Sequence, residues 1–413
     1  MRYWVLFFIL IGLLFSVRSQ GQDEAKNLFK FQIHGFVKSD YWYDTRQVVQ
    51  SREGLFSLFP MPVALDSKGE DLNAHPSFNY SAISTRISTT IDGPNAFGAK
   101  TQAFIEGDFT GISNATINTL RLRHAWIKLD WEKTRLIFGQ DWHPMFVTEV
   151  FPGVLALNTG APFQPFIRNP QVRLEYRFKK TTLMLAALSQ RDNSCNGPVG
   201  RDFSYLSNSL LPNFHGQMKT KIGKSLYGAA FDWKSIMPRM ATDSGFYTSA
   251  RLNSTSAMVF YKYSDEHFTF KTKFIYGQNL TEHLMLGGYA IADIDTLTDS
   301  HEYTATEHLF AWGQILYTKK LKRVDIQPGL FFGYAKNLGT TTENLGIYYA
   351  TGADLDVLLR VSPSINIYSG PMMVSLEWEW TEAFYGVPDK NGLVQNSKPV
   401  DNHRFMIGVF YLF

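Results

Sequence analysis

The sequence predicts an all-β chain closed into a transmembrane antiparallel β-barrel of about sixteen strands. Three observations predict it. The chain ends in ten residues, RFMIGVFYLF (404–413), with a single charge and four aromatics. Phe405, Ile407, Val409, Tyr411 and Phe413 fall on one face of an extended strand, and Arg404, Met406, Gly408, Phe410 and Leu412 on the other, because side chains alternate with a period of two. The first face is wholly apolar, as contact with lipid requires. Composition is the second observation. Aromatics make up 15% of residues and charged side chains 19%, against roughly 25% charged in ordinary soluble domains. No stretch reaches the ~20 apolar residues of a spanning helix. The third is the alternation of long and short connections along the chain, which sorts them to opposite ends of a barrel.

Residues 1–21 read as a secretory signal peptide and 22–413 as one barrel domain. Arg2 precedes an apolar run, Val5 to Phe15, and small polar residues follow. This is the order of charge, apolar core and cleavage region of an export signal, with cleavage expected after Ser19 or Gly21. Cys195 is the only cysteine and lies far from this region. That excludes a lipid-anchored N-terminus, a disulfide framework and a CxxC site. A net charge of +3 is too small to suggest a nucleic-acid partner.

Strands are expected near 31–46, 80–92, 97–110, 118–130, 134–141, 170–178, 182–190, 213–222, 226–238, 248–263, 267–278, 308–318, 324–336, 354–368, 372–385 and 403–413. QVRLEYRF (171–178) alternates without a fault: Val172, Leu174, Tyr176 and Phe178 against Arg173, Glu175 and Arg177. In AISTRISTTI, Ile83, Ile87 and Ile91 oppose Arg86. LRLRHAWIKLD breaks the rule, since Arg121 and Arg123 share a face with Ile127 and Leu129. Either a bulge near His124 repairs it, or protein covers that outward face. Short turns are expected at GPNA (93–96), WEK, KKT, GKS, DEH, KLKR and SGP, and longer outer loops between the other strand pairs, the last at 386–402. An even strand number leaves both termini on the short-turn side.

Catalytic signatures are absent: there is no GxSxG, P-loop, GxGxxG or HExxH. HEYTATEH (301–308) reads as a solvated outer loop, and nothing calls for a cofactor or a metal. The loop 142–169 is different. WHPMFVTEVFPGVLALNTGAPFQPFIRN is long, Pro-rich and far too apolar to stand in water. It is expected to fold inward as the third outer loop, with Glu149 and Arg168 as its main charges at a constriction. Sorting charges by strand face gives a lumen lined by Arg86, Arg173, Glu175, Arg177, Lys271 and Lys273, with Asp354, Asp356, Arg360, Glu377 and Glu379 on the late strands. The sum is near neutral, and the basic groups beside Arg168 suggest a mild preference for small anions such as carboxylates. Tyr411 and Phe413 resemble the terminal aromatic signal that barrel-assembly machinery reads.

HGFVKSDYWYDTRQ (34–47), DGPNAFG (92–98), RLRHAWIKLDWEKTRLIFGQDWHP (121–144) and IRNPQVRLEYRF (167–178) together resemble the DcaP-like porins, in the version common in Bacteroidetes. The resemblance is strongest over the first 180 residues. It implies a sixteen-stranded, homotrimeric channel in the bacterial outer membrane, in contact with lipid, for small hydrophilic and often anionic solutes. It also implies no enzymatic activity. Family members with a periplasmic coiled coil carry heptads before the barrel; only about ten residues separate the signal peptide from the first strand here, so that element is expected to be missing. The rival reading is a barrel with an occluded lumen that serves as a surface anchor or a platform for a partner. A third class, an outer-membrane hydrolase, finds no support in the sequence.

Overall fold

The computed structural model describes residues 29–413, so the signal-peptide reading of 1–21 lies outside the described residues. Sixteen antiparallel strands form one closed sheet. They are β1 (Lys30–Asp44), β2 (Arg86–Ala96), β3 (Ala99–Asp108), β4 (Arg121–Asp130), β5 (Thr134–Trp142), β6 (Arg168–Phe178), β7 (Thr181–Leu188), β8 (Asn213–Ile222), β9 (Ser225–Ile236), β10 (Leu252–Ser264), β11 (Phe268–Gln278), β12 (Ser300–Tyr317), β13 (Asp325–Thr340), β14 (Leu355–Ser369), β15 (Met372–Pro388) and β16 (Val394–Leu412). Neighbours in sequence are neighbours in space. The seam is β1 against β16, nine residue pairs from Phe36–Leu412 to Asp44–Arg404. Beyond them Gly35 and Phe413 exchange both backbone bonds, at 2.9 and 3.1 Å.

The outward face alternates as the sequence requires. In β6, Val172, Leu174, Tyr176 and Phe178 are exposed, while Arg173 and Glu175 are buried inside. Exposed aromatics such as Phe178, Tyr227, Phe268 and Tyr317 flank the short turns, where amphipathic rings suit a membrane interface. The irregular strand β4 contains a bulge. Glu106 of β3 pairs with His124 and Gly107 with Leu122, so Arg123 is the extra residue. It turns Leu122 and Ile127 outward together, while Arg123 and His124 both point in.

Four expectations need correction. The strand placed at 80–92 is interrupted: Ser77–Ser81 pairs with the upper half of β1, and β2 with its lower half. The chain bends inward between them, and Ile83 is buried beside Trp42, Leu55 and Leu155 instead of lying outward with Ile87. The first turn is Phe97–Gly98, both at positive φ, not GPNA, which belongs to β2. The last outer connection is only 389–393, because β15 and β16 run on past the rest of the sheet. HEYTATEH is not a solvated loop; it lies in β12. The preceding connection contributes a strand, Gly287–Asp295, that pairs with it and buries Thr304, Ala305 and Thr306.

Residues 143–167, between β5 and β6, are held by inward-facing side chains from around the wall. Lys273 donates to the carbonyls of Met145 and Phe146 (2.8 and 2.9 Å), Lys271 to Phe151 (3.0 Å), Arg360 to Ala161 (2.8 Å) and Lys38 to Leu155 (3.3 Å). A hairpin of the first connection, Val48–Ser51 with Phe56–Pro60, lies on this segment, with the Phe56 and Phe166 rings 5.2 Å apart. The two segments build an apolar core inside the barrel against Met258, Phe260, Ile275, Phe310, Trp312, Phe331, Leu355 and Leu358.

Deleting Phe413 removes both terminal seam bonds. At about 0.5–1.5 kcal/mol net per bond, the refolded barrel should lose roughly 1–3 kcal/mol. The check is the urea midpoint read by heat-modifiable migration in gels, and an unchanged midpoint would place the end of the seam before residue 413.

Candidate functional site

The inner wall has two unlike halves. From β10 to β15 it is covered by residues 143–167 and the first-connection hairpin. There Lys271, Lys273 and Glu377 each bind backbone of the covering segment, Glu377 through the amide of Leu155. Arg360 spans both layers. It donates to Ala161 and Leu58 carbonyls and pairs with Glu379 at 3.4 Å. Small residues let the covering segment approach. A Cβ on Gly333 would stand 2.6 Å from the Phe163 ring, and one on Gly408 only 2.4 Å from Leu155.

From β2 to β8 the wall is charged, and its groups are linked. Arg86 stands 3.6 Å from Glu106. Glu106 takes Arg123 at 2.6 Å, and Arg123 takes Asp108 at 2.7 Å. Asp108 takes Arg121 at 3.0 Å, Arg121 reaches Asp192 at 3.4 Å, and Asp192 takes Arg168 at 2.5 Å. Four arginines thus alternate with three carboxylates. Arg168 also lies between the rings of Trp142 and Phe166, 4.6 and 5.3 Å from their centroids, a favourable site for a cation. A second network runs toward the short turns. Asp130 binds Arg177 (2.5 Å) and Arg135 (2.9 Å), Arg135 reaches Glu175 (3.4 Å), and Arg173 pairs with Asp141 (3.4 Å).

Two cavities flank the covering segment on this side. One, of about 830 Å³, opens among the long connections and is lined by Arg52, Arg121, Arg168, Asp192, Arg201 and Asp354. The other, of about 220 Å³, holds Lys128, Arg135, Glu149, Arg173, Glu175 and Lys219. Asp192 is in the fourth connection, and two effects compete at its carboxyl. Burial pushes it up, but the guanidiniums of Arg168, Arg121, Arg123 and Arg52 outweigh burial and hold it below its ordinary value. Cys195, in the same connection, is inert: burial first, and Glu282 beside it, push its thiol up to about 12.

The structure therefore divides the residues singled out from the sequence. Arg86, Arg173, Glu175 and Arg177 lie on the uncovered charged wall. Lys271, Lys273, Glu377 and Glu379 lie under the covering segment. Glu149 and Arg168, expected together, line different cavities, because the segment leaves the wall after β5 and has descended to Lys219 by residue 149 (2.5 Å). Asp356 leaves the lumen: a bulge between Leu355 and Leu358 turns it to Lys336 and Ser397, on the face of Leu330 and Phe332. Sequence reasoning missed Glu106, Asp108, Arg121, Arg123, Asp130, Arg135 and Asp192. The first six were within reach, since each sits on an inward face once the β4 bulge is placed. Asp192 had no signal, because a charge in a connection carries no face.

No family model matches the chain, and no curated protein matches its sequence. The fold is similar to solved structures. The outer-membrane channel DcaP of Acinetobacter baumannii superposes with a TM-score of 0.68 at 16% identity, over 94% of this chain and 99% of that one. OmpT of Vibrio cholerae gives 0.55 at 9% identity over 96% and 99%. OmpF of Salmonella typhi, in complex with daunomycin, gives 0.50 at 11% identity over 93% and 98%. The likeness is one of fold: a closed sixteen-stranded antiparallel barrel.

Arg360→Ala should release both inner layers at once and leave Glu379 buried without its ion-pair partner. A broken buried pair costs about 3–5 kcal/mol. The expected result is a lower denaturation midpoint and rapid proteolysis within 143–167 in a barrel that still migrates as folded. Wild-type protease resistance would show that the apolar contacts hold the segment without Arg360.

Proposed function

We propose that this chain is an outer-membrane porin through which small hydrophilic solutes diffuse passively. The observation that carries the reading is the two-sided wall. The outer surface is apolar in period two around the barrel, while the inner surface from β2 to β8 carries a linked set of charged groups, most of them buried against one another, beside two cavities with charged linings. Such a wall suits water and ions inside and lipid outside. On this reading the long connections face the exterior and the short turns the periplasm. Residues 143–167 narrow the passage, residues 1–21 direct export, and Tyr411 and Phe413 are read by the assembly machinery. The chain acts as a channel and not as an enzyme. It works as a homotrimer through the outward faces of β1 to β5; an OmpT structure of similar fold is described as a trimer form. The family is that of DcaP-like porins of the Bacteroidetes type. The rival reading, a partner platform with a closed lumen, draws on one observation: the first-connection hairpin also enters the barrel. Conductance separates the two. Discrete ohmic openings in planar bilayers are expected, and a sealed bilayer after verified insertion would favour the platform.

The charged wall supports a mild preference for anions. Its main network holds one more arginine than carboxylate, and the larger cavity is lined by four arginines, Arg52, Arg121, Arg168 and Arg201, against two carboxylates, Asp192 and Asp354. Asp192→Asn removes the carboxylate shared by Arg121 and Arg168, so the reversal potential in a KCl gradient should move toward chloride. Protonation should do the same. The folded value of Asp192 lies below its ordinary 3.8, so Asp192 itself should keep its charge from neutral pH down to that value. The Asp192 contribution turns more anionic only as pH falls through the depressed value, after a first shift at higher pH from Asp354, which lines the same cavity and which burial raises above 3.8. Cation preference in the wild type, or an unmoved potential in the variant, would place the selective point elsewhere.

Cross-linking in mild detergent tests assembly. A trimer is expected, and Ile105→Lys, Leu122→Lys or Ile127→Lys on the outward face should weaken it. A wild-type monomer would remove the assembly from the proposal.

A further inference from the structure

We propose that His143, His215, Asp232 and His283 form a binding site for one divalent transition-metal ion of the zinc class. Four separate segments supply the residues. His143 opens the segment that crosses the barrel, and His215 and Asp232 are cross-strand partners on the inner faces of β8 and β9. His283 ends a single turn, Thr281–His283, in the sixth connection. All four are buried, His283 completely.

The donor atoms of three already converge, and the fourth residue, His283, stands beside them with Nε2 3.6 Å from Glu282 Oε1. Asp232 Oδ2 lies 3.0 Å from His215 Nδ1 and 3.5 Å from His143 Nε2, and the three atoms fall within 4.8 Å of one another. Metal–ligand bonds of about 2.0–2.2 Å in a tetrahedron hold neighbouring donors roughly 3.4 Å apart. Imidazole nitrogen with carboxylate oxygen is a set that suits zinc, nickel and copper.

Two further observations point to a cation here. Asp232 is a buried carboxylate whose ion-pair partners among the described residues are imidazoles alone. Lys234, on the same strand face, is already bound by Glu282 and the Asn279 carbonyl. A buried carboxylate without a cation is costly. The second observation is His283. Its ring stands edge to face on His143, centroids 4.6 Å apart, and neither ring nitrogen has a hydrogen-bond partner. Buried polar atoms are seldom left so.

The hydrogen bonds around His143 allow the ion. Met145 N–H donates to Nδ1 at 3.2 Å, and Nε2 faces Asn213 Oδ1 at 3.1 Å. A metal on Nε2 moves the ring proton to Nδ1 and costs the long Met145 bond, a small loss against several metal–ligand bonds. Asn213 Oδ1 then lies ready as an added oxygen donor. The ion would fasten the root of 143–167 and the sixth connection to the β8–β9 wall.

The test uses untagged full-length barrel, stripped with chelator and checked for folding by heat-modifiable migration. It is titrated with zinc by calorimetry and with cobalt by visible absorption. We expect one ion per chain, with the intense bands of a tetrahedral cobalt site. Asp232→Asn and His283→Gln should each weaken binding by more than the about 10–100-fold that loss of a supporting partner causes. His75→Gln, in the exposed first connection, should not. If a variant fails to fold, the cobalt spectrum of the wild type still decides the geometry. No saturable binding in folded wild type would overturn the proposal. It would leave Asp232 held by hydrogen bonds from His215 and Asn213 alone, at 3.0 and 2.8 Å. Equal affinity in all variants would overturn it as well, as surface binding.

Discussion

Closure of the sheet is the constraint from which the rest follows. A strand edge in lipid exposes amides and carbonyls that nothing there can satisfy. The pairing of β1 with β16 leaves no such edge, and it continues to the last residue through Gly35 and Phe413. An apolar, nearly chargeless C-terminus follows from this. Residues 404–413 are half of a seam, and their outward side chains belong to the lipid face.

Closing sixteen strands has a second consequence. Side chains from the wall can fill a barrel of about eight strands, but one of sixteen leaves a wide lumen. This chain fills half of it with its own connections. The inner faces of β10 to β14 carry large apolar side chains among their polar groups, and these meet Met145, Phe146, Phe163 and Phe166 from residues 143–167. The charged groups of that half, Lys271, Lys273, Arg360 and Glu377, serve the backbone of the covering segment. The other half meets the covering segment mainly at Arg168, over Phe166, and keeps its ionic network. The division between the two halves, more than the strand count, gives the interior its character.

The strands were legible because their period of two survives where one face is apolar and the other is not, as in β6. The alternation of connection lengths supported the count. Legibility failed where an extra residue breaks the period. At Arg123 the bulge was one of two alternatives that sequence could not separate; at Asp356 an uninterrupted count assigned the wrong face. For β12 and β13 the strands were placed, near 308–318 and 324–336, but the period did not show which face is covered. There LFAW (309–312) and LFF (330–332) are apolar on both faces, which is how a strand covered on two sides reads. That run was the available sign that the apolar third connection docks on these strands. The charge network was half legible: Arg86, Arg173, Glu175 and Arg177 are placed by strand faces alone. Asp192 and the pairing of Arg168 depend on where a connection folds, and the period of a strand says nothing of that. The His143–His215–Asp232–His283 cluster is equally silent in sequence, since it joins four segments with no shared spacing.

The order of charges along the uncovered wall bears on how it would act in the proposed channel. In a chain of alternating charge, each interior group has two opposite neighbours and each terminal group has one. Glu106, Asp108 and Asp192 are all interior, and so are Arg121 and Arg123. The ends are both arginines, Arg86 and Arg168. These same two keep buried guanidinium nitrogens without hydrogen-bond partners, Nε of Arg86 and Nε and Nη1 of Arg168, whereas all three nitrogens of Arg121 bond Asp108 or Asp192. The excess positive charge is therefore not spread along the wall but concentrated at its two ends. At about 0.15 M salt, screening confines such a field to about 8 Å, so a passing ion would sense one end at a time. An anion would then meet Arg86, which stays partly exposed, and would sense Arg168 only through its field, because that guanidinium is closed off by Trp142, Phe166 and Asp192. That suits passage better than retention, because conduction needs binding strong enough to enter and weak enough to leave.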